Sequence, residues 1–453
     1  MSDLVARTRR LSRTQGLGFT YAPGYNAGPP DPGARVRVLV ACDNDPDDPR
    51  AYSGTLRSVL DAVAGMAGVE VVGTVDCSRA IAASLDKDED ATLFERYGET
   101  TLVAAAAAVD EALRRHPEAE VLFVADGNCC VPRLESSIPV VWWNDCSWAC
   151  WLHESSGWRH VGGAAGAAAV PLQAQRFLAA WDAAALNRAS AAFLASDWAV
   201  EVTRRAYGAD VARTTARLPY GAAHAAHLPG RAAVDDAVVR RNFSPRSCVV
   251  CFVASEAGFD HKGGRVALAA VEHLRESARA ALRDGNGSDR LHALARASLV
   301  CVGAGPPPGV DVPDWVDVAG WCDRSSPAGR AKFADALTGA HFVCIPSRAD
   351  FYGVTLVEAL AHGVPVVAAR VGGAATIVRA GRGGALVDAD APPSAYADAV
   401  AELFLDGGAY GALAAACRGD YDARLDWAVS RRALAAAFLD AKAGKRTCAD
   451  AKE

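Results

Sequence analysis

The sequence predicts an α/β protein made of two doubly wound, parallel-sheet domains. Three observations lead there. Short apolar runs of strand length alternate with segments of helical periodicity along nearly the whole chain. The series pauses at a polar stretch, residues 223–246, and then begins again. The 453 residues suffice for two or three domains, each with its own core.

Residues 1–34 end in GLGFTYAPGYNAGPPDPG, a Gly/Pro-rich run that reads as a flexible leader. The first domain is expected over 35–222. Its strands are read at Arg35–Ala41, Val69–Val75, Val121–Ala125, Pro139–Trp143 and Phe193–Ala195, and helices at Thr55–Ala67, 101–115, Leu172–Ala189 and Trp198–Tyr207. Residues 223–246 lose clear periodicity and read as a hinge. The second domain is expected over 247–409. Its strands are read at Cys248–Ala254, Leu299–Gly303, Phe342–Pro346 and Pro365–Ala369, with helices at Gly264–Ala280 and Ala331–Leu337. Residues 410–440 read as helices that fold back on the first domain, and 441–453 as a polar, disordered tail.

Bulk properties narrow the function. Net charge is −6, and no basic run is long enough to form a nucleic-acid arm, so a nucleic-acid partner is not expected. The 13 cysteines are scattered through apolar strands without zinc spacing, which predicts buried thiols, a reducing compartment and no metal site. No run of eighteen apolar residues exists, so no transmembrane helix is expected; a peripheral membrane contact stays open. The N-terminus lacks the apolar block of a signal peptide, and a cytoplasmic location is expected. Asn286-Gly-Ser reads as a Gly-rich turn.

Residues 346–369, PSRADFYGVTLVEALAHGVPVVAA, are the most informative stretch. An acid (Asp350) and an aromatic pair (Phe351, Tyr352) precede a glycine (Gly353). A short helix follows, opening at Val354 and Thr355 and carrying a second acid (Glu358). That order suits a nucleotide-sugar site. Gly353, without a Cβ, lets backbone approach a ligand, and the free N–H groups of the helix start can point at a diphosphate. Glu358 is placed to accept from ribose hydroxyls, and Asp350 to face the sugar. On spacing alone, a solvated pair of acids in an ordinary strand–loop–helix unit is the better explanation of the stretch.

The stretch resembles the signature of retaining family 4 glycosyltransferases of the GT-B fold. These carry Glu, seven residues and Glu, with Phe-Gly inside and a Gly-x-Pro-Val-Val tail. Here Asp350, seven residues and Glu358 keep the spacing, and Gly363, Pro365, Val366 and Val367 match the tail. Two departures stand out. The first acid is Asp, about 1.5 Å shorter, and Tyr352 takes the place of the usual Phe.

Other segments join the resemblance. SEAGFDHKGGR (Ser255–Arg265) follows a strand and opens a helix; it is similar to the family's Lys-Gly motif, whose lysine contacts the donor phosphates. Lys262 is that lysine. By itself it reads as a solvent-facing residue at a turn. The family's nearby arginine is absent, and His261 or Arg265 is the candidate second cation. Ser53-Gly54-Thr55 is a helix-start signal and resembles the family's acceptor loop. Asp145 stands six residues after Pro139, where the family often has a histidine; it either orients an acceptor hydroxyl or caps a helix. The tryptophans around it (Trp142, Trp143, Trp148, Trp151, Trp158) read as core, with one or two open to acceptor stacking. Gly303-Ala-Gly305 runs into three prolines instead of a helix, which excludes a dinucleotide fingerprint.

The resemblance implies two Rossmann-like domains facing across a cleft, with the donor mainly on the second, the acceptor mainly on the first, and closure that excludes water. It implies a retaining, metal-independent hexosyltransferase-type enzyme with no cofactor beyond its nucleotide-diphosphate sugar co-substrate. The acceptor, whether sugar, lipid or small molecule, is not specified. Lys262 and the helix start at Val354 would take the charge of the departing diphosphate. Two alternatives remain open at this point: a catalytically silent sugar-nucleotide or glycan-binding protein, and a GT-B sugar phosphorylase.

Overall fold

The computed structural model describes residues 33–48, 54–85, 98–153, 171–243, 245–255, 258–285 and 287–446. Most of the leader, Ser53, Trp158, Asn286 and the last seven residues lie outside the described residues. The chain divides into two compact units. One runs to Tyr220 and resumes at Trp427; the other is Gly221–Asp426.

The first unit holds β1 (Val36–Cys42), β2 (Val69–Asp76), β3 (Val121–Val124), β4 (Val140–Asn144), β5 (Ala191–Leu194) and β6 (Thr215–Arg217). They form one sheet in the order β2-β1-β3-β4-β5-β6, and every pair is parallel. Parallel strands need crossover helices, which cover both faces, so strands buried on both sides must be apolar throughout. The chain obeys this: β3, β4 and β5 are buried at every position. The helix Trp427–Lys442 completes this unit. Phe438 meets Phe123 edge-on at 5.3 Å, and the Ser430 hydroxyl donates to the Pro219 carbonyl at 2.6 Å.

The second unit holds β7 (Val249–Ala254), β8 (Ser298–Gly303), β9 (Val316–Gly320), β10 (Phe342–Ile345), β11 (Val366–Ala369) and β12 (Gly384–Val387). Their order is β12-β11-β10-β7-β8-β9, again all parallel. The chain winds outward from β7 in one direction and then from β10 in the other. The loops leaving the carboxyl ends of β7 and β10 therefore diverge, and the crevice between them is where open α/β sheets bind ligands.

Two expectations need correction. The stretch read as a hinge, 223–246, contains a helix, Arg231–Asn242, belonging to the second unit. Its inward positions are Val234, Ala237, Val238 and Arg241, a regular helical stripe in which one member is an arginine. The charge hid the period. The helices after residue 406 also divide: Gly407–Asp420 stays with the second unit and Trp427–Lys442 joins the first, with a π-helical turn, Tyr421–Leu425, between them.

Among the described residues every cysteine is a buried free thiol. No single helix there is long and apolar enough to cross a membrane.

Candidate functional site

The second unit brings four charged side chains together as two pairs. Lys262 lies on the loop after β7 and Asp350 on the loop after β10, so both sit at the crevice named above. The Lys262 ammonium donates to Asp350 Oδ2 at 2.6 Å, with both side chains half-buried. Backbone joins the same two loops, Arg348 N–H donating to the His261 carbonyl at 3.1 Å. The turn needs Gly263: its φ is +82°, and a Cβ there would stand 2.0 Å from the Pro346 carbonyl oxygen. Glycine thus allows the lysine loop to lie against the β10 loop, which brings residues 88 apart in sequence into contact.

The second pair was not anticipated. Glu358 is buried on the helix Val354–Ala361, and the Arg324 guanidinium donates to its Oε1. Arg324 comes from the loop after β9, and its guanidinium also stacks over Phe333 at 4.7 Å. Burial pushes the Glu358 carboxyl up; Arg324 and the Ala223 backbone N–H pull it back down. The arginine therefore favours a charged carboxylate where burial alone favours a neutral acid.

Gly353 opens this helix at φ +94°, and no side chain caps the helix start. Val354 and Thr355 are part-exposed there, whereas Phe351 and Tyr352 are buried. At this point the loop offers backbone N–H groups and the positive end of a helix. The remaining candidates differ in setting. His261 is buried, whereas Arg265 is exposed and paired with Asp260 at 2.8 Å.

The acceptor candidates lie in the first unit. Gly54 begins the helix Thr55–Ala64, and Thr55 is buried. Asp145 follows β4, its N–H donating to Asn144 Oδ1 at 2.8 Å. Asp182, which sequence reasoning passed over, anchors the chain just beyond. It is fully buried and accepts from Asn128 Nδ2 (2.9 Å), the Tyr207 hydroxyl (2.8 Å) and Trp148 N–H (2.9 Å). Trp142 and Trp143 are core, their indole N–H groups donating to the Asp126 and Leu218 carbonyls; Trp148 and Trp151 are part-exposed, with tilted rings 5.9 Å apart.

The first sheet has its own crevice, between β1 and β3, and two acids were missed there. Asp43 follows β1 and Asp126 follows β3. Asp126 accepts from the N–H groups of Asp43 (2.7 Å) and Asn44 (3.0 Å), while Asp43 Oδ2 accepts from Cys129 N–H (2.8 Å). Burial first, and the neighbouring Asp43 charge second, push the Asp126 carboxyl up to about 7. A raised carboxyl contributes stability that is complete below the ordinary carboxylate range and is lost as pH rises through about 7. Asp43→Asn removes the like charge, so its thermal midpoint should fall less than wild type between pH 5 and pH 8. Each pKa unit removed is worth about 1.4 kcal/mol. Parallel unfolding curves at both pH values check this; an equal fall in the two proteins would exclude the coupling.

The comparisons with known proteins address the same segment. Residues 247–406 match the family described as Glycosyl transferases group 1. This group 1 match spans Lys262, Arg324, Asp350 and Glu358. Two curated relatives agree. The D-inositol 3-phosphate glycosyltransferase of Xylanimonas cellulosilytica is 35% identical over 187 residues, which is 41% of this chain and 40% of the relative. D-inositol 3-phosphate glycosyltransferase 1 of Catenulispora acidiphila is 38% identical over 120 residues, 26% of this chain and 28% of the relative. The matched stretches thus span less than half of these relatives' length. Two solved structures cover nearly everything. Sucrose-phosphate synthase from Thermosynechococcus elongatus superposes with a TM-score of 0.58 at 17% identity, over 91% of this chain and all of its own. Anabaena HepE in complex with UDP-glucose gives 0.54 at 14%, over 88% and 98%. At these identities the likeness concerns the fold, and the fold is GT-B with two Rossmann-like units.

Proposed function

We propose that the protein is a hexosyltransferase-type glycosyltransferase that moves a sugar from a nucleotide-diphosphate sugar to an acceptor hydroxyl with retention of anomeric configuration. The observation that carries this reading is the meeting of Lys262 with Asp350 at the crevice between β7 and β10. The group 1 match, the glycosyltransferase relatives and the UDP-glucose bound by HepE support it.

In this reading the donor exchanges one set of bonds for another. The Lys262 ammonium turns from Asp350 to the diphosphate, beside the open helix start at Val354 and Thr355, and Asp350 turns to the sugar hydroxyls. Glu358, paired with Arg324, accepts from the ribose hydroxyls. The bond from the anomeric carbon to the diphosphate oxygen breaks, and its electron pair leaves with the nucleoside diphosphate. The acceptor oxygen bonds to the anomeric carbon on the same face, and its proton passes to the leaving phosphate oxygen. Lys262 and the helix dipole stabilise the charge that develops there. They supply the positive field that a metal gives in other transferases, so the reaction is assigned no metal. On the first unit, Asp145 orients the acceptor and Gly54 and Thr55 line its loop. The buried free thiols support a reducing, cytoplasmic setting.

The test is to incubate purified protein with UDP-, GDP- and ADP-sugars, measure nucleoside diphosphate release, and read the anomeric proton of the product by NMR. An α-linked product from an α-linked donor is expected. An inverted product would remove the retaining mechanism. Donor binding without release from any donor would support the silent binding protein instead.

A further inference from the structure

Lys262 and Asp350 occupy the carboxyl ends of β7 and β10. Cations also gather at the other end of the same strands. A cavity of about 410 Å³ opens where Val249 begins β7 and His341 leads into β10. Its wall includes Arg240, Arg241, Arg246, Phe243 and Asp335. Among the described residues no carboxylate pairs with any of the three arginines.

Arg241 is the unusual member. It is 6% exposed, its two terminal nitrogens donate to the carbonyls of Thr338 at 2.7 Å and Gly363 at 2.6 Å, and the Tyr410 hydroxyl is its polar side-chain neighbour. Its Nε is buried without a partner. A buried guanidinium answered by neutral dipoles keeps an uncompensated charge. Arg240 and Arg246 are exposed and pair with no carboxylate among the described residues, so they are available to a ligand. His341 adds no charge. Its Nδ1 accepts from Val249 N–H at 3.0 Å and its Nε2 faces the Arg241 carbonyl at 3.1 Å, which fixes a neutral ring. Asp335 is the one acid among the cavity's lining residues, so the wall carries net positive charge. Phe243 is 82% exposed beside the arginines and offers an apolar face to the body of a ligand.

We propose that this cavity is a second ligand site, separate from the donor crevice, that takes a phosphorylated small molecule by its phosphoryl oxygens. Arg240 and Arg246 make the direct contacts, as planar guanidinium groups do with phosphoryl oxygens, and Arg241 supplies fixed charge behind them. The volume is that of an ordinary small-molecule pocket. The phosphoryl group is carried either by a soluble metabolite or by a lipid head group. The proposal does not depend on the glycosyltransferase reading.

Isothermal titration with inorganic pyrophosphate at low salt tests it. The full chain is used with Lys262→Ala, which removes the donor crevice's cation, and again with Arg240→Gln and Arg246→Gln added. Both arginines are exposed, so the fold should survive, and circular dichroism checks that it does. Pyrophosphate should bind the Lys262→Ala protein, and its Kd should rise at least tenfold when the two arginines are replaced. Absence of binding to the Lys262→Ala protein, or an unchanged Kd in the triple variant, overturns the site. Sedimentation with phosphatidylcholine vesicles, with and without phosphatidic acid, separates the sources. Phosphatidic acid-dependent binding that needs both arginines assigns the phosphoryl group to a lipid; pyrophosphate binding without vesicle binding assigns it to a soluble molecule.

Discussion

Lys262→Ala should lower kcat by about 10²–10³-fold, the usual loss when one preorganised donor to a developing oxyanion is removed. Lys262 pairs with Asp350 at 2.6 Å, and it is held there by backbone that only Gly263 permits. A group so placed costs little reorganisation when charge appears on the leaving diphosphate. If it acts mainly in the transition state, kcat and kcat/KM should fall together. Lys262→Arg keeps the charge on a longer, planar group and should recover part of the loss. Nucleoside diphosphate release at saturating donor is the measurement. A Lys262→Ala rate within twofold of wild type would show that the lysine is only a structural partner of Asp350.

Arg324→Ala should be the most destabilising of the substitutions considered, because it leaves Glu358 buried without its cation. Breaking a buried pair by removing one partner costs about 3–5 kcal/mol, on the order of 10 °C in thermal midpoint for a unit of this size. The pH dependence has a definite sign. Burial raises the Glu358 carboxyl and Arg324 lowers it, so the variant's carboxyl should titrate higher than wild type's. The stability of a raised carboxyl is complete in acid and lost as pH rises through its folded value. The gap between wild type and Arg324→Ala should therefore widen with rising pH over the range in which the wild-type carboxyl has ionised and the variant's has not. Adding Glu358→Gln removes the stranded charge and should recover part of the loss. Thermal unfolding of the three proteins across that range checks both points. A gap that narrows with rising pH would mean that the carboxylate is not what the arginine answers.

Much of this was legible in the sequence because both sheets are parallel and buried. Apolar runs such as VVCFV and FVCI can hardly be anything but inner strands, and the loops after them carried Lys262 and Asp350 in plain sight. Strands without that signature were not read. β6 has three residues, β9 lies at the sheet edge with two of its five residues exposed, and β12 begins with a glycine. Pairings were harder than elements. That Lys262 meets Asp350 follows from β7 lying beside β10, a fact of topology that no local window contains. Arg324 sits in CDRSS, a segment with the composition of any solvated turn, and nothing local marks it as the partner of an acid on another element. Asp43 and Asp126 did leave a signal, each standing within two residues of the end of a buried strand, but its meaning required knowing that β1 and β3 are neighbours. Arg241 misled in the opposite direction, since a charge on the inward stripe made a regular helix look aperiodic.

The central claim is that the crevice of the second unit holds the donor. The most direct measurement is thermal-shift binding of UDP-, GDP- and ADP-sugars to wild type and to Glu358→Ala. One donor should stabilise the wild-type protein by about 3 kcal/mol at a hundred times its Kd, and the variant should lose most of that stabilisation. Equal stabilisation of both proteins would place the donor elsewhere and contradict the account.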